Sequence, residues 1–144
     1  MFVEALSNLD GPLERQVKGW ARTEQSKARK RLLKERAIGT CRLCAREMSA
    51  EYLVAAHIKR RTSCTDDEKR DIDNVMMLCC KFGCDELFER GYISVNADGA
   101  IVKTARKSDT VADQYVSTFV GTRIEIQPSQ LSYFQWHFAE RFLV

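Results

Sequence analysis

The stretch DNVMMLCCKFGCDELFERGYISV, residues 73–95, decides how this chain is read. Asn74 to Leu78 is a short apolar run of strand type, and Asp85 to Arg90 suits a short helix stopped by Gly91. Between the two elements stand Cys79, Cys80 and Cys84. Thiols gathered where a strand hands over to a helix need partners from elsewhere in the chain.

Those partners lie upstream. Cys41-Arg-Leu-Cys44 is a CxxC knuckle that can turn two thiolates towards one metal. No βαβ pattern surrounds it, so a redox pair of the thioredoxin type does not suit it. In a reducing compartment, clustered cysteines mark a metal more often than disulfides. Cys41, Cys44, Cys80 and Cys84 therefore read as a structural zinc site, tetrahedral with bonds of about 2.3 Å. Cys79 is an alternative to Cys80 that spacing leaves open, and Gly83 is expected to supply the tight geometry before the last ligand. Cys64 stands alone and reads as a buried or spare thiol.

Working outward, Glu51 to Lys59 (EYLVAAHIK) reads as a strand, apolar and partly β-branched. Arg61 to Asp73 is polar and loop-like, but Thr65-Asp-Asp-Glu68 has the pattern of a capping box opening a helical turn. Tyr92 to Val95 and Ala100 to Lys103 flank Asn-Ala-Asp-Gly, a hairpin signal. Two further helices are expected at about Asp109–Val120 and Pro128–Phe142, the second with Leu131, Phe134, Phe138 and Phe142 at helical spacing. At the other end, Asp10-Gly11-Pro12 reads as a helix start. Leu13, Val17, Trp20, Ala28 and Leu32 keep an apolar stripe to about Ile38, and Gly39 is expected to end the helix. Its middle, Arg22 to Arg31, is nearly all polar, as in a helix that lies on the surface or reaches a partner. The fold class is α+β. One domain is expected over residues 1–144: a helical arm at about 12–38, a zinc-stapled unit at about 39–103 and a helical region at about 109–144.

Length and composition agree with a single modest core: 144 residues, 44% hydrophobic, a net charge of +3. No apolar run approaches the roughly 20 residues of a membrane span, and MFVEALSNLDGPLERQ lacks the pattern of a signal peptide. A cytoplasmic protein with no membrane partner is expected. The charge is unevenly spread. Leu13 to Arg36 holds nine basic residues against three acidic ones, a local balance of +6, and Lys59-Arg60-Arg61 follows directly after His57. Such clusters suit a polyanion, with Arg29, Lys30, Arg31, Lys59, Arg60 and Arg61 as candidate nucleic-acid contacts.

Three segments in order, LLKERAIGTCRLC from Leu32, LVAAHIKRR from Leu53 and DNVMMLCCKFGCDELFERGYISV from Asp73, resemble the HNH endonucleases of the His-Me finger superfamily. The resemblance runs from about Leu32 to Val95. It implies a ββα-metal finger, a β-hairpin and a helix pinched around one catalytic metal. It also implies that His57 and Asn74 fill the first two motif positions. At the third, where many members have His, this chain has Asp85, with Glu89 four residues on and on the same helix face. Ala56 is a second departure, since several relatives carry a ligand before the motif His.

The implied activity is metal-dependent hydrolysis of DNA phosphodiester bonds, with 5′-phosphate ends as the family's usual products. It would act on double-stranded DNA in restriction or phage defence. His57 is the expected general base, its reference pKa of about 6.5 suiting it to take a proton from water near neutral pH. Asn74 is expected to hold the His57 loop. Asp85, with Glu89, would carry Mg²⁺ or Mn²⁺, since carboxylate oxygens are hard ligands. His137, in an aromatic helix, reads as structural. Two other readings stand beside this one. A non-catalytic zinc-ribbon DNA-binding module would need the cysteines and basic helix but not His57, Asn74 and Asp85; an RNase on the same scaffold would differ only in substrate. The sequence is compatible with a homodimer and does not specify one.

Overall fold

A computed structural model describes the backbone of residues 12–144 and the side chains from Thr23 onward. Asp10 and Gly11, and the side chains of Leu13, Val17 and Trp20, lie outside the described residues. Helix α1 spans Pro12–Leu33. It stops earlier than expected. Lys34 and Glu35 turn left-handed, at φ 51° and 64°, which breaks the helix before Ile38. Gly39 is therefore not the stop; it lies inside strand β1 (Ile38–Thr40), opposite Met48 of β2 (Glu47–Ser49). The knuckle Cys41–Cys44 is the turn of this antiparallel pair, closed by Cys41 N–H to Arg46 O at 3.0 Å and Ala45 N–H to Cys41 O at 2.9 Å.

The second pair is central. Strand β3 (Leu53–His57) runs antiparallel to β4 (Met76–Cys80), with Leu53 facing Cys80 and His57 facing Met76. Both strands are apolar nearly throughout and covered on both faces, with Leu53, Ala55, Ala56, Met76, Met77, Cys79 and Cys80 buried. Between them lie two short helices, α2 (Asp66–Arg70) and α3 (Ile72–Val75). The expected capping box opens α2: Glu68 N–H donates to Thr65 Oγ1 at 3.2 Å, and Thr65 N–H to Glu68 Oε1 at 2.9 Å. After β4 comes helix α4 (Cys84–Glu89), then the hairpin β5 (Ile93–Val95) and β6 (Ile101–Lys103). Helix α4 ends at Gly91, whose φ of +74° is left-handed and whose added Cβ would fall 1.9 Å from the Arg141 carbonyl oxygen. Helices α5 (Thr110–Val116) and α6 (Pro128–Glu140) complete the chain. No helix among the described residues is long and apolar enough to cross a membrane.

The packing face of α6 corrects the aromatic stripe. Leu131 and Phe138 are 39% and 36% exposed, while Gln130, Tyr133, Phe134 and His137 are buried. A polar network decided the rotation. Arg42 donates to Gln130 Oε1 at 3.0 Å, and Tyr133 O–H donates to Asp71 Oδ2 at 2.8 Å. The His137 ring is held at both nitrogens, by Ser94 Oγ at 2.7 Å and Phe88 O at 2.7 Å. The ring also stacks on Phe88 with centroids 3.6 Å apart. Burial holds His137 down to a pKa of about 4, so it is neutral and donates from Nε2 to the Phe88 carbonyl. Phe138 and Phe142 are left stacked on each other at 5.2 Å.

Candidate active site

The hairpin β1–β2 and the end of β4 converge on four sulfurs. Ligand atoms of Cys41, Cys44, Cys80 and Cys84 all lie within 4.8 Å of one another, the only such group of three or more His, Cys, Asp or Glu among the described residues. A zinc ion with bonds of about 2.3 Å needs sulfurs about 3.8 Å apart at the corners of a tetrahedron, so the quartet fits one. Cys80 N–H already points at Cys41 Sγ, at 3.3 Å. Hydrogen bonds from Cys79, Cys80 and Cys84 hold the Cys41 thiol far below the usual range, while burial pushes Cys44 up to about 11 and the bonds to Cys41 and Cys80 push Cys84 up, so one shared negative charge sits in the cluster on Cys41. Cys79 lies outside the quartet. It is fully buried, and its bond to Cys41 together with burial keeps it protonated.

Tyr115, on α5, was not visible from the sequence as part of this centre. Its hydroxyl lies 3.0 Å from Cys80 Sγ and 3.2 Å from Cys84 Sγ, the position of an outer donor that steadies two thiolates. Gly83 is required by this tyrosine rather than by a tight turn, since an added Cβ would stand 2.7 Å from the Tyr115 ring. Cys64 is apart, its thiol donating to the Arg60 carbonyl at 3.3 Å.

Helix α4 carries the chain from the sulfur centre to a second site. Its first residue is Cys84, and the next, Asp85, faces a cavity of about 570 Å³ that His57, at the end of β3, also lines. Glu89, one turn on, lines the same cavity. The Asp85 carboxylate is mostly buried and has no hydrogen-bond or ion-pair partner among the described residues. Burial first, then Glu89 and Glu86, push its pKa up to about 6. An unpartnered acid beside a second acid suits a hard divalent cation, with water or phosphate supplying the remaining ligands. His57 is lowered from its ordinary range, chiefly by burial, and its ring makes no hydrogen bond among the described residues. It is a neutral imidazole with a lone pair to offer.

The remaining candidates divide. Asn74 lies outside the cavity. Its amide donates to Asp71 Oδ1 at 2.7 Å and accepts from Ser129 at 2.7 Å, so it ties α3 to α6 rather than touching His57. The β3–β4 loop is instead closed by Ile58 N–H to Val75 O at 2.7 Å. Lys59 is paired with Glu68 at 3.0 Å, Arg61 with Glu24 at 2.8 Å and Arg31 with Asp73 at 2.8 Å. Arg29, Lys30 and Arg60 have no ion pair among the described residues. Arg29 and Lys30 line an open cleft with Lys34 and Arg36 at the end of α1, and Arg60 lines the His57 cavity. Sequence reading missed Gln25, Trp136 and Arg141, which line that cavity from α1, from α6 and from just beyond it. Gln25 pairs with both backbone groups of Ala55, at 3.1 and 2.6 Å, and so docks α1 on β3.

Residues 41–96 match the family model for HNH endonuclease. The matched span begins at the first knuckle cysteine and ends just past β5, taking in the quartet, His57, Asn74, Asp85 and Glu89. No curated protein matches the chain.

Proposed function

We propose that this chain, whose residues 41–96 match the HNH endonuclease family model, hydrolyses DNA phosphodiester bonds in the cavity shared by His57, Asp85 and Glu89. The observation that carries the reading is the meeting in one cavity of a histidine ring and a mostly buried carboxylate, neither with a hydrogen-bond partner among the described residues. His57 is the general base: neutral because of burial, it takes the proton of the attacking water. Asp85 and Glu89 would hold Mg²⁺ or Mn²⁺, which supplies charge for a phosphate oxygen and for the leaving 3′ oxygen. Arg60 and Arg141 bring positive charge to the same cavity for the flanking phosphates, and Arg29 and Lys30 extend the basic surface along α1. The four cysteines hold structural zinc and fix the start of α4, hence the direction in which Asp85 faces. We read the biological setting as restriction or phage defence.

The test is supercoiled plasmid with the zinc-loaded protein and added Mg²⁺, Mn²⁺ or neither. Nicking that needs the added ion, and that His57→Ala loses with its circular dichroism and DNA affinity unchanged, is the expected result. Near-normal nicking by His57→Ala removes the general-base role. Binding without cleavage by the parent would leave a zinc-ribbon binding module, and cleavage of structured RNA alone would change the substrate.

A further inference from the structure

Trp136 is a half-buried indole on α6 that lines the cavity of His57, Asp85 and Glu89. It makes no ring contact and no hydrogen bond among the described residues, although four other ring pairs there are stacked, tilted or edge-on. Its neighbour in sequence, His137, is buried and pinned at both nitrogens, so the helix position of Trp136 is fixed while its ring has no packing partner of its own kind. The cavity is also larger than the chemistry alone requires. At about 570 Å³ it lies within the range of about 300 to 1,000 Å³ that takes a whole small molecule, whereas one phosphodiester and a cation fill only part of that. Its charge is zoned: acids on α4, and the cations Arg60 and Arg141, neither ion-paired among the described residues. Arg141 spends one donor on the Glu89 carbonyl at 2.7 Å and keeps the rest of its fork available.

An aromatic face beside unpaired guanidinium groups is the chemistry that receives a nucleobase with its phosphate. A base paired in a duplex is stacked on both faces and cannot offer one to an indole inside a cavity; it must be unpaired or swung out first. We propose that Trp136 forms a nucleobase subsite, so that the chain engages DNA at an unpaired nucleotide in preference to continuous duplex. This rests on the nuclease reading of the cavity, but its signature is in binding and is separable from cleavage.

The experiment measures anisotropy of three labelled DNA probes with zinc-loaded His57→Ala protein: a short single strand, the same strand fully paired, and the same strand paired around one bulged nucleotide. Each is repeated with Trp136→Ala and Trp136→Phe added. Loss of one base stack by alanine weakens binding by about 5- to 150-fold. That loss is expected on the single strand and the bulge, with less than about a 2-fold change on the full duplex, and Trp136→Phe should retain most of the affinity. In a Trp20→Phe background the remaining indole emission should be quenched by the single strand and not by the duplex. An equal loss on all three probes, or none on any, overturns the subsite. Parent protein that cuts none of the probes with Mg²⁺ or Mn²⁺ overturns the nuclease reading instead, whatever Trp136 does to binding.

Discussion

At the scale of single residues, Asp85 is placed where its charge costs the fold and serves the site. Its pKa of about 6 lies above the ordinary carboxylate value of 3.8, so its contribution to stability is full below the ordinary value and lost as pH rises through about 6. Asp85→Asn should therefore be more stable than the parent at pH 7 to 8, by on the order of 1 to 2 kcal/mol after solvent screening, and no more stable at pH 4. The same variant should lose Mg²⁺-dependent cleavage while keeping its zinc. Thermal melts at two pH values without added Mg²⁺ check the first part; an unchanged melting temperature at pH 8 would mean that something else already compensates the charge. A pH profile of cleavage separates the two groups. His57 must be neutral to act, and burial lowers it, so its limb lies to the acid side of about 6.5. Protons compete with the cation at Asp85, so that limb should move to lower pH as Mg²⁺ is raised, whereas the His57 limb should stay. His57 and Asp85, which line one cavity, were picked out by the ordered motif around them rather than by any local pattern of their own. Gln25, Tyr115, Trp136 and Arg141 were not, because each acts from a distant part of the chain through packing that no local spacing encodes.

At the scale of elements, the hairpin β1–β2 and helix α4 meet at the cysteine quartet, where a zinc ion would join them. Zinc binding free energy at such a site is folding free energy. Stripping the ion should unfold the chain rather than merely silence it, and Cys41→Ser or Cys84→Ser should give insoluble protein while Cys64→Ser is tolerated. Tyr115→Phe isolates the outer donor. It should weaken zinc about 10-fold, read by competition with a chromophoric chelator, with the secondary structure intact. No change in zinc affinity would reduce Tyr115 to a packing residue. Helix α1 allows a similar distinction among its cations. Replacing Arg29 and Lys30 by glutamine should flatten the dependence of DNA affinity on salt by about 0.9 for each phosphate no longer neutralised. Replacing Arg31 should flatten it less, because Arg31 is already bidentate to Asp73 at 2.8 and 2.9 Å. Equal slopes for all variants would make α1 a solvated face. The elements themselves were largely legible: β3, α4, the hairpin β5–β6 and the capped turn α2 fall within a residue or two of the spans that pattern and turn residues marked. The apolar run Asn74–Leu78 is instead split, its first two residues ending α3 and β4 running from Met76 to Cys80. The β1–β2 pair was not, because three-residue strands closed by a cysteine turn have too few alternations to show a period. On α6 the spacing of Leu131, Phe134 and Phe138 marked the helix but not its packed face, since Gln130, Tyr133 and His137 are buried and hydrogen-bonded there while Leu131 and Phe138 are exposed.

At the scale of the whole molecule, the matched family span of residues 41–96 holds the cysteine quartet and the residues His57, Asp85 and Glu89 but does not finish either site. Tyr115 reaches the sulfurs from α5, Trp136 and Arg141 wall the cavity from α6 and beyond, and Gln25 enters it from α1. Gln25 has one more effect. The β3–β4 pair has only two strands, so the outer backbone groups of β3 have no strand beside them. A bare edge of this kind is a template on which a second chain can lay its own backbone, and stacks of copies grow from it. The Gln25 amide donates to the Ala55 carbonyl and accepts from the Ala55 N–H, occupying the outward groups at the middle of β3. One side chain thus takes the place of a missing strand. The arm proposed to meet DNA is thus expected to keep copies apart as well: Gln25→Leu should raise light scattering of the folded protein on warming at temperatures below its melting transition, and an unchanged scattering onset would leave Gln25 only docking α1 on β3.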